Sequence, residues 1–361
     1  MLTTWLSSVR RLSFCQYSVR ALLLFAAVVC LVTFFLRREF DHWKNGWIEE
    51  GTVIHALTPH IRSSCVESIG PAYLRWLCFG EDCKYLDRVV EIQLLIADDA
   101  DLARLPSLSA IRDIRIPYSD EITDAGLKRV SEISTLTHLT VGGSLNITSV
   151  GLRSLGRLIQ LRELNISMPI HDASALAQIC ERFSRLETLS VSGPVIDDKA
   201  VAALKRCRQL RSLRLHSTLA SGSGLAELAD LPILQDIDLD GYRVSNVGIE
   251  KACALPHLRR LSISGDSISD QATVCMEECP GLIELRIHCD NVTDDAIIRL
   301  CRSHKALVTL DLSKSARISD AVCDAITKIR SLRELTVSDT QISQNGLSAV
   351  ASRAPWIAIV P

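Results

Sequence analysis

Ten side chains in the middle of this chain have types and spacings that could do chemistry: Arg214, His216, Asp236, Asp238, Asp240, Arg260, Glu284, Arg286, His288 and Asp311. Alternation by two places each local set on one side of an extended segment. Asp236, Asp238 and Asp240, at i, i+2 and i+4, could therefore recruit a hard cation. The flanking arginines oppose this, and no metal is expected. His216 and His288 occupy equivalent offsets three strands apart, roughly 14 Å at about 4.8 Å per strand, too far to share a proton relay. Two readings of the charges stay open. They make a polar binding stripe, or neighbouring strands neutralise each other, Asp238 against Arg214 and Asp236 against Arg260. No Ser/His/Asp set, phosphate-cradling glycine loop or paired carboxylate stands out. The chain is expected to be neither an enzyme nor a cofactor binder.

A repeat must hold those side chains in line. An aliphatic triad recurs every 24 or 25 residues, from Ile111, Ile114 and Ile116 through Leu136, Leu139 and Val141 to Leu332, Leu335 and Val337. A looser copy starts at Val89, and residues 357–361 begin one more strand. The alternation within each triad is that of a short strand, with Leu164 and Ile166 inward and Glu163, Asn165 and Ser167 outward. The second half of each repeat reads as a helix. Thr123, Thr148, Asp197, Ser245, Ser269, Thr293, Ser319 and Ser343 are placed to cap it, and Pro232, Pro256, Pro280 and Pro355 stop it. A period of this length with this leucine spacing means an α/β leucine-rich-repeat solenoid, with a parallel sheet as its concave face and helices on its convex face. One unit cannot bury its own apolar face, so stacking must supply the stability. About eleven strands at 4.8 Å give a sheet on the order of 50 Å long.

The expected organisation is a basic tail over 1–20, a transmembrane anchor over 21–36, a helical linker and cap over 37–88, repeats over 89–356 and an edge strand over 357–361. With 361 residues, 47% of them hydrophobic but only 5% aromatic, the composition suits an aliphatic solenoid. A net charge of -2 gives no reason to expect nucleic acid. The run 21–36 carries no charge. Its sixteen residues reach only about 24 Å against a core of about 30 Å, and Arg20, Arg37 and Arg38 are placed to snorkel. Phe34–Arg38 lacks the small residues of a signal-peptidase site, which favours an uncleaved anchor. Arg10, Arg11 and Arg20 before the span balance Arg37, Arg38 and Lys44 after it, so the charge rule is silent. The short tail favours repeats outside the cytoplasm.

Thirteen cysteines suggest a disulfide framework, yet most fall at recurring helix positions, Cys180, Cys253 and Cys301 at one offset and Cys207 and Cys279 at another. They read as buried thiols filling a core site. Cys65, Cys78 and Cys83 precede the repeats and are candidates for a cap disulfide if the domain is extracytoplasmic. The terminal Trp356–Pro361 is an apolar strand without a polar cap, an edge open to weak self-association.

The lead Tyr17-Ser18-Val19-Arg20, the span, then Pro71-Ala72-Tyr73-Leu74-Arg75 with Gly80-Glu81-Asp82, and the repeat motif Ile122-Thr123-Asp124-Ala125-Gly126-Leu127 resemble the membrane-anchored leucine-rich-repeat proteins of planctomycete bacteria. The resemblance covers essentially the whole chain. It implies an anchored module that binds a protein ligand through its concave face, with no catalytic residue to carry over. Repeats such as Leu204-Lys205-Arg206-Cys207 are also similar to the cysteine-containing repeats of F-box adaptors in ubiquitin ligases. Residues 37–88 lack the F-box's Leu-Pro opening, which leaves adaptor function as the alternative.

Overall fold

A computed structural model of the chain describes residues 19–71, 74, 84–167, 178, 180–193, 196–241, 243–279 and 281–360, with side chains of the first helix described from residue 25. Two compact units divide the chain, Met1–His55 with Val66–Arg88, and Ala56–Cys65 with Val89–Pro361.

The first unit centres on the long helix Val19–Leu57. Arg88 is 4% exposed and organises this unit. Its guanidinium lies 3.5 Å from the Glu50 carboxylate, donates to the Trp43 carbonyl at 2.6 Å and stacks on the Trp43 ring. Tyr85 packs edge-on against Phe40 and Trp47. A buried charge needs this many partners to offset its desolvation. One helix runs through the expected anchor at 21–36 and on into the stretch read as helical linker. The side chains of 21–24 lie outside the described residues. Among those described, no helix is long and apolar enough to cross a membrane. The apolar run stops at Leu36, and the helix continues as Arg37, Arg38 and Glu39.

The repeats build one sheet. Among the described residues it has thirteen strands in chain order: β1 (Ile61–Ser68), β2 (Asp87–Leu94), β3 (Asp113–Ile116), β4 (His138–Gly142), β5 (Glu163–Ser167), β6 (Thr188–Ser192), β7 (Ser212–His216), β8 (Asp236–Asp240), β9 (Arg260–Ser264), β10 (Glu284–His288), β11 (Thr309–Asp311), β12 (Glu334–Thr336) and β13 (Ala358–Val360). Every pair from β2–β3 to β12–β13 is parallel, and equivalent aliphatics stand in register, as in Leu139 with Leu164, Leu164 with Leu189 and Leu213 with Ile237. All five are at most 2% exposed. This stacked spine is the core that a single repeat could not make. The count exceeds the expected eleven chiefly because β1 lies inside the stretch read as helical linker. Its sequence, IRSSCVES, lacks the leucine spacing, and its side chains are almost all exposed.

A second, polar spine explains the Thr-Asp-Ala-Gly motif. Thr123, Thr148, Asp197, Ser245, Ser319 and Ser343 cap their helical turns as expected. Ser269 and Thr293 make no cap bond. The following Asp reaches into the next repeat. Asp124 accepts from the Thr148 amide at 2.7 Å and its hydroxyl at 2.6 Å, and Asp270 treats Thr293 in the same way. Asp294 and Asp320 repeat the contact with Ser319 and Ser343. The glycine leaves room for that carboxylate: a Cβ on Gly151 or Gly346 would overlap Asp124 Oδ1 or Asp320 Oδ1 of the preceding repeat.

Four of the five helix-position cysteines are buried thiols, as read from their offsets, and Cys253 is half-buried. Cys180, Cys207, Cys279 and Cys301 are at most 4% exposed. Cys207 Sγ donates to the Cys180 carbonyl at 3.5 Å, and Cys279 Sγ to that of Cys253 at 3.6 Å. Cys65 is a free, exposed thiol. Cys78 and Cys83, its expected partners, lie outside the described residues.

Candidate interaction surface

Strand alternation puts Leu213 and Leu215 into the core and turns Arg214 and His216 outward, and the same holds for each neighbouring strand. Six of the ten candidate side chains line one open depression of about 270 Å³: Arg214, Asp236, Asp238, Arg260, Glu284 and Arg286. Asp240 lies beside His216, and His288 and Asp311 form a pair further along the sheet. The acidic triad of β8 does not converge. Asp236 Oδ2 takes the Arg260 guanidinium at 2.5 Å, while Asp238 and Asp240 flank His216 at 3.9 and 3.7 Å.

The charges are thus only partly self-neutralised. Asp236 pairs with Arg260 as expected, and the hydrogen bond to Asp236 raises the Arg260 pKa. Glu284 pairs with Arg286 along its own strand at 2.6 Å, which the cross-strand argument did not anticipate. The expected Asp238–Arg214 pair is not formed. The two are register partners on β7 and β8, yet Asp238 turns to His216, and among the described residues Arg214 has no ion-pair or hydrogen-bond partner for its exposed guanidinium. Two further groups in this depression are unspent. Asp236 Oδ1 is buried without a hydrogen bond. Ser212 is 6% exposed, and its hydroxyl has no partner among the described residues. Beyond them, burial would raise the Asp311 pKa, but hydrogen bonds from His288 and from the Ser313 hydroxyl and amide hold it down to about 2.

A second depression of about 370 Å³ shares Arg214 and runs the other way, over β4 to β7. Its lining is neutral apart from Arg214 and His216: Tyr118, Thr140, Asn165, Ser167, Ser190 and Ser192, with Pro117. Attention to charge passed over these residues. The signal was present, since Thr140, Asn165 and Ser190 occupy the same repeat offset as Arg214 and stand in register with it.

No protein-family model matches the chain, and no curated protein does. Solved structures do. A chain of the yeast Rad7 and Elc1 complex is 16% identical and superposes over 95% of this chain and 86% of its own with a TM-score of 0.58. An internalin (inlF) of Listeria monocytogenes is 18% identical over 75% of this chain and 86% of its own, with a TM-score of 0.48. A chain of the mouse RP105/MD-1 complex is 20% identical over 67% of this chain and 41% of its own, with a TM-score of 0.42. At 16% identity the likeness to the chain of the Rad7 and Elc1 complex concerns the backbone alone, and together with the parallel sheet and its period it establishes that this chain has the leucine-rich-repeat fold.

Proposed function

We propose that the chain is a non-catalytic recognition module that binds a protein partner through the outward face of its sheet, centred on Arg214 and Asp238. One observation carries this reading. On a face where Asp236 neutralises Arg260 and Glu284 neutralises Arg286, Arg214 and Asp238 stand side by side without pairing. Covering two such groups costs desolvation unless the covering surface satisfies both. A protein segment presenting an acidic and a basic side chain does so, and could also donate to Asp236 Oδ1. The Rad7 chain that shares the fold is likewise seen in complex with a protein, Elc1.

The test is proximity labelling in the native cell with the wild-type chain, Arg214→Glu, Asp238→Arg and a control, Arg157→Glu, on a helical segment. Partners labelled by the wild type and the control but lost in both strand variants support the reading. An unchanged labelled set overturns it.

Membrane attachment with the repeats outside the cytoplasm belongs to the same proposal. Its support is the uncharged run 21–36, in which Phe25, Leu31 and Phe34 are each more than half exposed. Recovery of the chain in the soluble fraction after detergent-free lysis would remove that part and favour the second reading, a soluble adaptor that delivers a bound protein to a ligase. We also assign weak self-association to the edge of β13, the outermost strand of the sheet among the described residues, where Val360 is 44% exposed. Strictly monomeric light scattering at high concentration, unchanged on deleting 357–361, would count against it.

A further inference from the structure

We propose that the neutral trough over β4 to β7 is a second binding site and that its ligand is an uncharged oligosaccharide. The trough occupies about 370 Å³, shares Arg214 with the charged depression and is bordered by His216, which Asp238 and Asp240 flank. Between Thr140 and Arg214 the strand spacing gives about 14 Å of floor, along which the middle outward positions are Thr140, Asn165 and Ser190. None of these three, nor Ser192, spends its side chain on a hydrogen bond among the described residues.

Ser190 makes this more than a stretch of small polar surface. It is 8% exposed and lines the trough, and its hydroxyl makes no hydrogen bond within the described residues, so a ligand seated there can bond it in place of water. The available groups are hydroxyls and a carboxamide, each able to donate and accept. That is the complement of a sugar, whose hydroxyls also do both. At the β3 end stands Tyr118, 74% exposed, a ring face on which the C–H side of a sugar can pack. At the other end Arg214 offers a planar set of free donors.

The same features disfavour other occupants. A protein interface draws its energy from apolar or aromatic anchors seated in pockets, and apart from Pro117 and Tyr118 this lining offers no apolar side chain. An anion would find one free cation, with Asp238 and Asp240 on the next strand beside His216.

The experiment is calorimetric titration of the full chain in detergent with cellohexaose, chitohexaose and mannohexaose, each against wild type, Tyr118→Ala, Asn165→Ala and Arg286→Ala. The Tyr118 and Asn165 side chains make no hydrogen bond or ion pair among the described residues, and melting curves check that the variants are folded. Saturable binding of at least one sugar, weakened about tenfold or more by each of the first two substitutions, the equivalent of about 1.4 kcal/mol, and unchanged in Arg286→Ala supports the proposal. No binding of any of the three sugars overturns it, as does binding that survives Tyr118→Ala and Asn165→Ala. A protein partner whose labelling depends on Tyr118 and Asn165 would likewise assign the trough to a peptide and refute the sugar. Because Tyr118 lines the trough but not the charged depression, loss of sugar binding in Tyr118→Ala with the protein partner retained separates the two sites.

Discussion

Replacing Asp198 by alanine tests whether the polar spine, and not the aliphatic one alone, locks adjacent repeats together. Its carboxylate accepts four hydrogen bonds from the next repeat: the Ser221 amide at 3.1 Å and hydroxyl at 2.8 Å on Oδ2, and the Gly222 amide at 3.1 Å and Gly224 amide at 3.0 Å on Oδ1. Burial alone would raise the Asp198 pKa, but these donors, Gly224 foremost, outweigh it and hold the carboxyl below its usual range. A hydrogen bond to a charged group contributes about 1.5–3 kcal/mol. Asp198 is only partly buried, so water takes over part of each bond, and bonds to one carboxylate are not additive. The expected loss is therefore about 2–4 kcal/mol for the whole set. Asp198→Asn keeps one carbonyl oxygen for the two glycine amides and should cost about half as much. Guanidinium unfolding of the full chain, followed by far-ultraviolet circular dichroism, measures this. Because repeats touch only their neighbours, a weakened junction shows either as a lower midpoint or as an early separate transition. If alanine costs less than about 0.5 kcal/mol, within the range of an ordinary surface change, or if Asn and Ala are equally harmful, the carboxylate does not hold the junction.

Glycine position decides the sign of a second pair. Gly51→Ala meets open space in the first helix and should stabilise by about 0.5–1 kcal/mol. Gly151→Ala must displace Asp124 Oδ1 and should destabilise by about 1–3 kcal/mol; thermal melts that move in the same direction would refute the motif argument. Depressed carboxylates set the acid limit. The stabilisation from Asp198, Asp320 and Asp311 is fully present above the unfolded carboxylate value of about 3.9 and fades as pH falls through their lower folded values, the last at about 2. Melting temperature against pH should therefore fall below about pH 4, and His288→Ala should shrink that fall; a flat profile down to pH 2 would contradict it. Thiol reactivity follows burial. Burial pushes Cys289 and Cys301 up to about 12, so maleimide at neutral pH should label exposed Cys30 and Cys65 and spare these two until unfolding; equal labelling in the folded chain, by peptide mapping, would show that the repeats open.

The aliphatic spine was legible because its signal is redundant. Each triad repeats at a fixed offset, and stacking in register is the arrangement that buries all of them, which is why Leu139, Leu164 and Leu189 end as direct neighbours. The polar spine was half legible. Thr148 and Ser343 read correctly as caps, but a cap argument looks forward within one helix and has no reason to look back 24 residues to Asp124 or 23 to Asp320. Gly151 and Gly346, three residues after these two caps, carried that information, since a side chain so close to a helix start is excluded only when something from the previous turn fills its place. β1 was invisible for the opposite reason. With nearly every side chain exposed, its pairing rests on backbone hydrogen bonding, which any residue but proline provides.

The candidate surface shows where periodicity stops being informative. Register follows from the repeat, so Arg214 beside Asp238 and Asp236 beside Arg260 were both derivable. Rotamers do not follow from it. Asp238 has two cationic or potentially cationic neighbours, Arg214 across the strand gap and His216 on the diagonal, and it takes the second. That choice leaves Arg214 unspent at the junction of a charged depression and a neutral one. Asp236 faces no such choice, because its cross-strand neighbour Arg260 meets no competing carboxylate that it prefers: Glu284, on the other side of Arg260, is taken by Arg286. Whether a residue on this sheet is structural or available thus depends on the neighbour of its neighbour. Reversing Asp238 should therefore alter the surroundings of His216 as well as those of Arg214, whereas reversing Arg286 should release Glu284 to compete with Asp236 for Arg260.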